Sequence, residues 1–150
     1  MAEGSMVEAD KNFALEIIKR IHKELSTEDS AEKLKSVISI ITQETGATDA
    51  SIYVKADDMT FEHIVSNSGA TLSAVRSGEG LVGKSGADNQ VSFAKTKNSF
   101  EIAIPLKRWN KSIGVLLITH SKSHEYDEQE MESLEAVCMF LSEFIASEEI

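Results

Sequence analysis

The spacing of apolar residues changes period along the chain. From Asp10 to Leu25 the large apolar residues Phe13, Leu15, Ile17, Ile18, Ile21 and Leu25 recur mostly at intervals of three and four, which predicts an amphipathic helix. A second helix is expected to begin between Ser26 and Ser30, where Asp29 stands three residues before Glu32 as in a capping box. Leu34, Val37, Ile38 and Ile41 form its apolar face and Gly46 its stop. The period then drops to two. Ala50 to Lys55 alternates, Asp57-Asp58 reads as a turn, and Thr60 to Asn67 continues as a partner strand. Ser66 to Asn98 carries only short apolar fragments among Gly, Ser, Asn, Asp and Lys, so it reads as a long connection with room for a short helix and a strand. Phe100 to Leu106 and Ser112 to His120 form a second hairpin about Arg108-Trp109-Asn110-Lys111, with Pro105 at a bulge or on an edge-facing position. A last helix opens at Asp127, with Glu130 three residues on, and carries Met131, Leu134, Val137, Cys138, Leu141, Phe144 and Ile145 on one broad face.

Helix, helix, hairpin, long connection, hairpin, helix is the order of an α+β domain, with an antiparallel sheet and the helices from both chain ends on one face. Ile113 to Ile118 is apolar on both sides, as a central strand covered on both faces requires. The second face, carrying Ser51, Tyr53, Lys55, Glu101 and Ala103, is mixed, and the Ser66 to Asn98 connection is the segment free to cover it. A loop folded over such a face makes a concave small-molecule site. The broad stripes Phe13/Ile17/Ile21 and Leu134/Leu141/Phe144/Ile145 exceed what one sheet face needs, which predicts a homodimer through the terminal helices.

Composition narrows the partners. The 150 residues fit one domain, read as residues 10–150 after a disordered or expression-derived leader over 1–9. A formal charge of −10 argues against nucleic acid and against an anionic membrane surface. No apolar run reaches the roughly 20 residues that span a bilayer, and a single cysteine, Cys138, points to a reducing cytoplasmic compartment. Much of the acidic excess lies over Glu125 to Glu135, whereas the middle connection holds Arg76, Lys84, Lys95 and Lys97, which leaves room for a small anionic or zwitterionic metabolite.

Enzyme chemistry finds little support. His22, His63, His120 and His124 read as solvated loop histidines with no metal-ligand spacing, and Cys138 reads as an inert thiol on an apolar helix face, so neither a catalytic set nor a metal or cofactor is expected. Gly78 followed by Gly83-Lys84-Ser85 meets the pattern of a nucleotide-binding P-loop. Ser73 to Ser77 is no buried strand, however, and Gly86, Asp88 and Asn89 open a helix poorly, so both supports of a P-loop are missing.

Four segments in order carry a resemblance: Gly78-Glu79-Gly80-Leu81-Val82-Gly83, then Ile102-Ala103-Ile104-Pro105-Leu106, then Ile113 to Ile118, then Tyr126-Asp127-Glu128-Gln129-Glu130 opening the final helix. Together, over about Phe13 to Ser147, they are similar to GAF domains. Ser51-Ile52-Tyr53 and the run Leu134 to Ala146 more narrowly resemble the N-terminal GAF domain of bacterial nitrogen-related phosphoenolpyruvate-protein phosphotransferases, paralogues of enzyme I. The resemblance implies a GAF-like antiparallel sheet with a ligand pocket opposite the terminal helices. It also implies a regulatory sensor of a small nitrogen-status metabolite such as glutamine, controlling autophosphorylation by a catalytic region outside this chain. One departure stands out: only Lys84 to Ser99 fills the space where family members carry a longer pocket-closing segment. The expected ligand-binding residues are Ser51, Tyr53, Glu101 and Ala103 from the sheet and Glu79, Gly80, Leu81, Val82 and Phe93 from the connection, with Glu101 to accept an amino group and Tyr53 to donate to a carboxylate or amide. The alternative is a degenerate GAF domain that only dimerises and transmits a signal.

Overall fold

The computed structural model describes residues 30–122 and 124–148. The helix expected over Asp10 to Leu25, the leader, and the Asp29 cap lie outside the described residues. Helix α1 (Ser30–Thr45) leads into strands β1 (Asp49–Asp57) and β2 (Thr60–Ser66). The short strand β3 (Val75–Arg76), helix α2 (Gly80–Asp88) and strand β4 (Ser92–Lys95) follow. Strands β5 (Phe100–Arg108) and β6 (Lys111–His120) and helix α3 (Glu128–Glu148) complete the order. The middle connection therefore holds one helix and two short strands.

The six strands form one sheet in the order β3-β2-β1-β6-β5-β4, and every neighbouring pair is antiparallel. β6 lies between β1 and β5, which explains its unbroken apolar run. Each hairpin closes by local chemistry. At the first, the Asp57 carboxylate accepts the Met59 N–H at 2.8 Å. At the second, Trp109 and Asn110 take φ of 55° and 61°, the left-handed pair of a type I′ turn. Pro105 pairs with Val115 of β6 on one side and lies beyond the end of β4 on the other, so no β4 residue stands opposite it.

α1 and α3 cover one face. Leu34, Val37, Ile38 and Ile41 from α1 meet Ile52, Ile102, Ile104, Leu116 and Ile118 from the sheet and Leu134, Val137, Leu141 and Ile145 from α3 in the main core. Gly46, at φ 71°, ends α1 where the sequence places the stop. α3 opens on a closed capping box: Asp127 Oδ1 accepts the Glu130 N–H at 2.8 Å, and Glu130 Oε1 accepts the Asp127 N–H at 3.1 Å.

Leu134, Leu141 and Ile145 of the α3 stripe are buried in the domain's own core, and Met139 is the large apolar residue α3 leaves exposed. The Phe13/Ile17/Ile21 stripe lies outside the described residues. Among the described residues no helix is long and apolar enough to cross a membrane.

Candidate functional site

Strand register decides what shares the second face. Ser51 stands opposite Leu117 and Tyr53 opposite Val115 across β1 and β6; Ala103 and Glu101 stand opposite Leu117 and Thr119 across β5 and β6. Alternation therefore puts Ser51, Tyr53, Glu101 and Ala103 on the side away from α1 and α3, together with Val115, Leu117 and Thr119.

β2 adds two residues that the alternation does not reveal. His63 lies opposite Tyr53 and Ser66 opposite Ser51, although they are three apart in sequence, because the register slips between Ile52 and Tyr53. The extra residue of that bulge brings both to one side. They form a chain of hydrogen bonds. The Leu72 N–H donates to His63 Nδ1 at 3.3 Å, which leaves Nε2 to carry the ring proton and donate to Ser66 Oγ at 2.6 Å. Ser66 Oγ is in turn 2.7 Å from Ser51 Oγ. Either hydroxyl can donate across that contact. The His63 ring also packs edge-on against Tyr53 with centroids 5.3 Å apart.

His63 is thus a half-buried strand residue that holds the 67–74 loop, and the expectation of a solvated loop histidine is corrected. Burial lowers its pKa, while the Asp49 carboxylate pulls the other way. The sign follows. A histidine held neutral in the fold contributes its full stability above the ordinary value of about 6.5, and that contribution is lost as pH falls below it toward the lower folded value, because the unfolded chain takes up the proton first. Protonated Nδ1 cannot accept from Leu72. The protection of the Leu72 amide against hydrogen exchange should fall between pH 7 and pH 5 relative to β6 amides, and His63→Gln should remove that pH dependence.

Tyr53 is buried, and its pKa is raised first by burial and second by the Glu101 carboxylate. Glu101 accepts a bond from the Thr119 hydroxyl at 3.4 Å. Tyr53, level with Val115 on β1, and Glu101, level with Thr119 on β5, thus share one face across β6, and the serine chain flanks Tyr53.

α2 covers the other flank. Leu81 and Val82 pack with Tyr53, Phe61, Ala103 and Val115, and the buried Ser85 hydroxyl donates to the carbonyls of Gln90 and Ala103 at 2.8 and 3.2 Å. Two glycines allow this approach. A Cβ on Gly86 would lie 2.2 Å from the Phe61 ring, and one on Gly83 would lie 2.2 Å from the Arg76 carbonyl oxygen. The apparent P-loop is explained by these contacts: Gly83, Lys84 and Ser85 lie inside α2, with Lys84 exposed and Ser85 bonded into the fold. Glu79 is the residue before α2 and Gly80 its first; both are exposed.

One expected contributor lies elsewhere. Phe93 pairs with Ile102, and so faces the helix side with its ring 6.1 Å from Phe100. Lys95 also lies on that side, paired with Glu125. Edge pairing of β4 to β5 fixes this phase. His120 is also no solvated histidine: it is 4% exposed, its Nε2 is 2.5 Å from the Tyr126 hydroxyl, and its ring stacks on His124 at 4.1 Å. Among the described residues, no group of three or more His, Cys, Asp or Glu could hold a metal ion.

No family model matches the chain, and no curated protein matches it in sequence. Solved structures match throughout. The GAF domain of an Acinetobacter phosphoenolpyruvate-protein phosphotransferase superposes with a TM-score of 0.79 at 19% identity, over 89% of this chain and 93% of that one. The corresponding domain from Coxiella burnetii gives 0.76 at 18% identity, over 89% and 93%. A free methionine-R-sulfoxide reductase from Neisseria meningitidis, solved with its substrate, gives 0.76 at 16% identity, over 91% and 90%. The fold is that of GAF domains.

Proposed function

We propose that this chain is a regulatory sensor domain that binds a small amino-acid-like metabolite, such as glutamine, on the sheet face beneath α2 and the 67–79 loop. Binding there controls a phosphoenolpyruvate-dependent phosphotransferase activity carried outside this chain. The observation that carries the reading is the placement of Tyr53, Glu101 and the Ser51–Ser66–His63 chain on one sheet face. A carboxylate for an ammonium and a phenol for a carboxylate or amide match the two ends of an amino acid. Similarity to two phosphotransferase GAF domains supports the regulatory role.

A fold shared with a sulfoxide reductase raises an enzyme as an alternative. The only thiol of this chain argues for the sensor. Cys138 is buried on α3 in the helix-side core, and burial pushes its pKa up, which leaves it protonated and unreactive.

The second reading is a domain that transmits a signal through a homodimer without a ligand. It is favoured by the close packing of Phe61, Val82, Tyr53 and Val115 under α2. The two readings part on titration with glutamine followed by amide chemical shifts. The sensor predicts saturable shifts at Ser51, Tyr53 and Glu101, weakened at least tenfold by Glu101→Gln, which removes a charge-assisted bond worth about 1.5–3 kcal/mol. A spectrum unmoved by the sensor ligands, together with a concentration-dependent dimer in sedimentation, selects the second.

A further inference from the structure

On the opposite side of the sheet, at its β4 edge, a cavity of about 380 Å³ opens between β4, β5 and the start of α3. Its walls are mainly apolar and include three aromatic rings. Phe93 and Phe100 stand with centroids 6.1 Å apart, Phe100 and Tyr126 with centroids 5.8 Å apart, and Val91, Ile102 and Met131 close the remainder. Phe100 is 5% exposed at the base, whereas Phe93 is 65% exposed at the mouth, a large apolar ring left in water beside an apolar hollow. The charged groups of the lining are Lys95 and Glu125, and they are bound to one another.

We propose that this cavity is a second binding site, which takes a small uncharged aromatic molecule of about bicyclic size. The volume lies at the small end of the roughly 300–1,000 Å³ of ligand pockets. Three rings at 5.8–6.1 Å offer stacked and edge-on contacts, and the Met131 thioether adds a polarizable wall. The Lys95–Glu125 pair decides the charge. A ligand carboxylate or ammonium would have to break that pair to be matched, whereas a neutral ring leaves it intact. A ligand here covers Phe93 and touches Tyr126, one residue before the Asp127 cap, so it bears on the first turn of α3. It uses none of Tyr53, His63 or Glu101 and stands apart from the sheet-face reading.

Indole is the probe, with indole-3-acetate and tryptamine as its charged counterparts, titrated into the 150-residue chain and followed by chemical shifts. Saturable indole binding is expected, with shifts at Phe93, Phe100, Tyr126 and Met131. Phe93→Ala, at an exposed position that leaves the core untouched, should weaken it at least tenfold. Met131→Trp, which fills the cavity, should abolish it, and a thermal melt checks that this variant folds; Phe93→Ala decides the matter if it does not. Lys95→Ala combined with Glu125→Ala should keep the affinity within about twofold, and Glu101→Gln should leave it unchanged. Absence of saturable binding, binding indifferent to Phe93→Ala, or tenfold preference for either charged probe overturns the proposal.

Discussion

Phe61→Ala is expected to destabilise the domain by about 3–5 kcal/mol, the usual cost of removing a fully buried phenyl ring. For a chain of this size that lowers Tm by roughly 10 °C. Phe61 is 1% exposed, and its ring fills the space between the β2 end of the sheet and α2, directly against Gly86. Gly86→Ala should cost about 1–3 kcal/mol for the converse reason, since the new methyl needs space that the ring occupies. The two changes share one volume. Their combination is therefore expected to cost less than the sum of the singles by about 1 kcal/mol or more, a coupling that a double-mutant cycle measures in urea. Additive costs would mean that α2 does not dock through this contact.

The second large effect separates packing from nucleotide chemistry within three residues. Gly83→Ala places a Cβ 2.2 Å from the Arg76 carbonyl oxygen and 3.2 Å from the Gly78 nitrogen. Backbone atoms cannot swing aside like a side chain, so the loss should reach at least about 2 kcal/mol, toward the upper part of the overpacking range. Lys84→Ala, on the exposed face of α2, should change stability by no more than about 0.5 kcal/mol and leave any ATP retention at background. A P-loop demands the opposite order, with Lys84 the essential residue. Chemical denaturation of the two variants beside an ATP-binding assay distinguishes them.

These contacts also show what the sequence could and could not reveal. The hairpins and the α3 start were legible because their determinants are local: alternation over Ala50 to Lys55, the turn residues Asp57 and Asn110, and the Asp127–Glu130 box each act within a few residues. Alternation also carried Ser51, Tyr53, Glu101 and Ala103 to one face. It failed at His63 and Ser66, because a bulge changes the phase of β2 and only the partner strand shows where it falls. It failed at Phe93 as well. β4 is four residues long in a segment without periodicity, and its facing is set by pairing with Phe100 to Ala103 rather than by its own pattern. The glycines of α2 look like a phosphate loop in sequence and prove to be points of close contact, a distinction that depends on Arg76 and Phe61 lying opposite them.

The Lys84 to Ser99 segment becomes the end of α2, a left-handed cap at Asn89, and β4. It closes the edge of the sheet and leaves the cover of the site to α2 and the 67–79 loop, tied down by the Leu72 to His63 bond and by Ser68, whose N–H and hydroxyl donate to the Asp49 carboxylate at 3.0 and 2.9 Å. This arrangement suits a site that opens at the loop, since a few exposed hydrogen bonds hold it against the sheet.

The most direct test of the sensor reading is a thermal-shift titration of the whole chain with glutamine, 2-oxoglutarate and nucleotides at millimolar concentration, run beside Glu101→Gln. A ligand that binds the folded state alone stabilises it by RT ln(1 + [L]/Kd), about 2.7 kcal/mol at a hundredfold excess over Kd. The account predicts a saturable rise in Tm with glutamine that is lost in Glu101→Gln and absent with nucleotides. A Tm unchanged by every compound, or a rise that Glu101→Gln leaves intact, would contradict it.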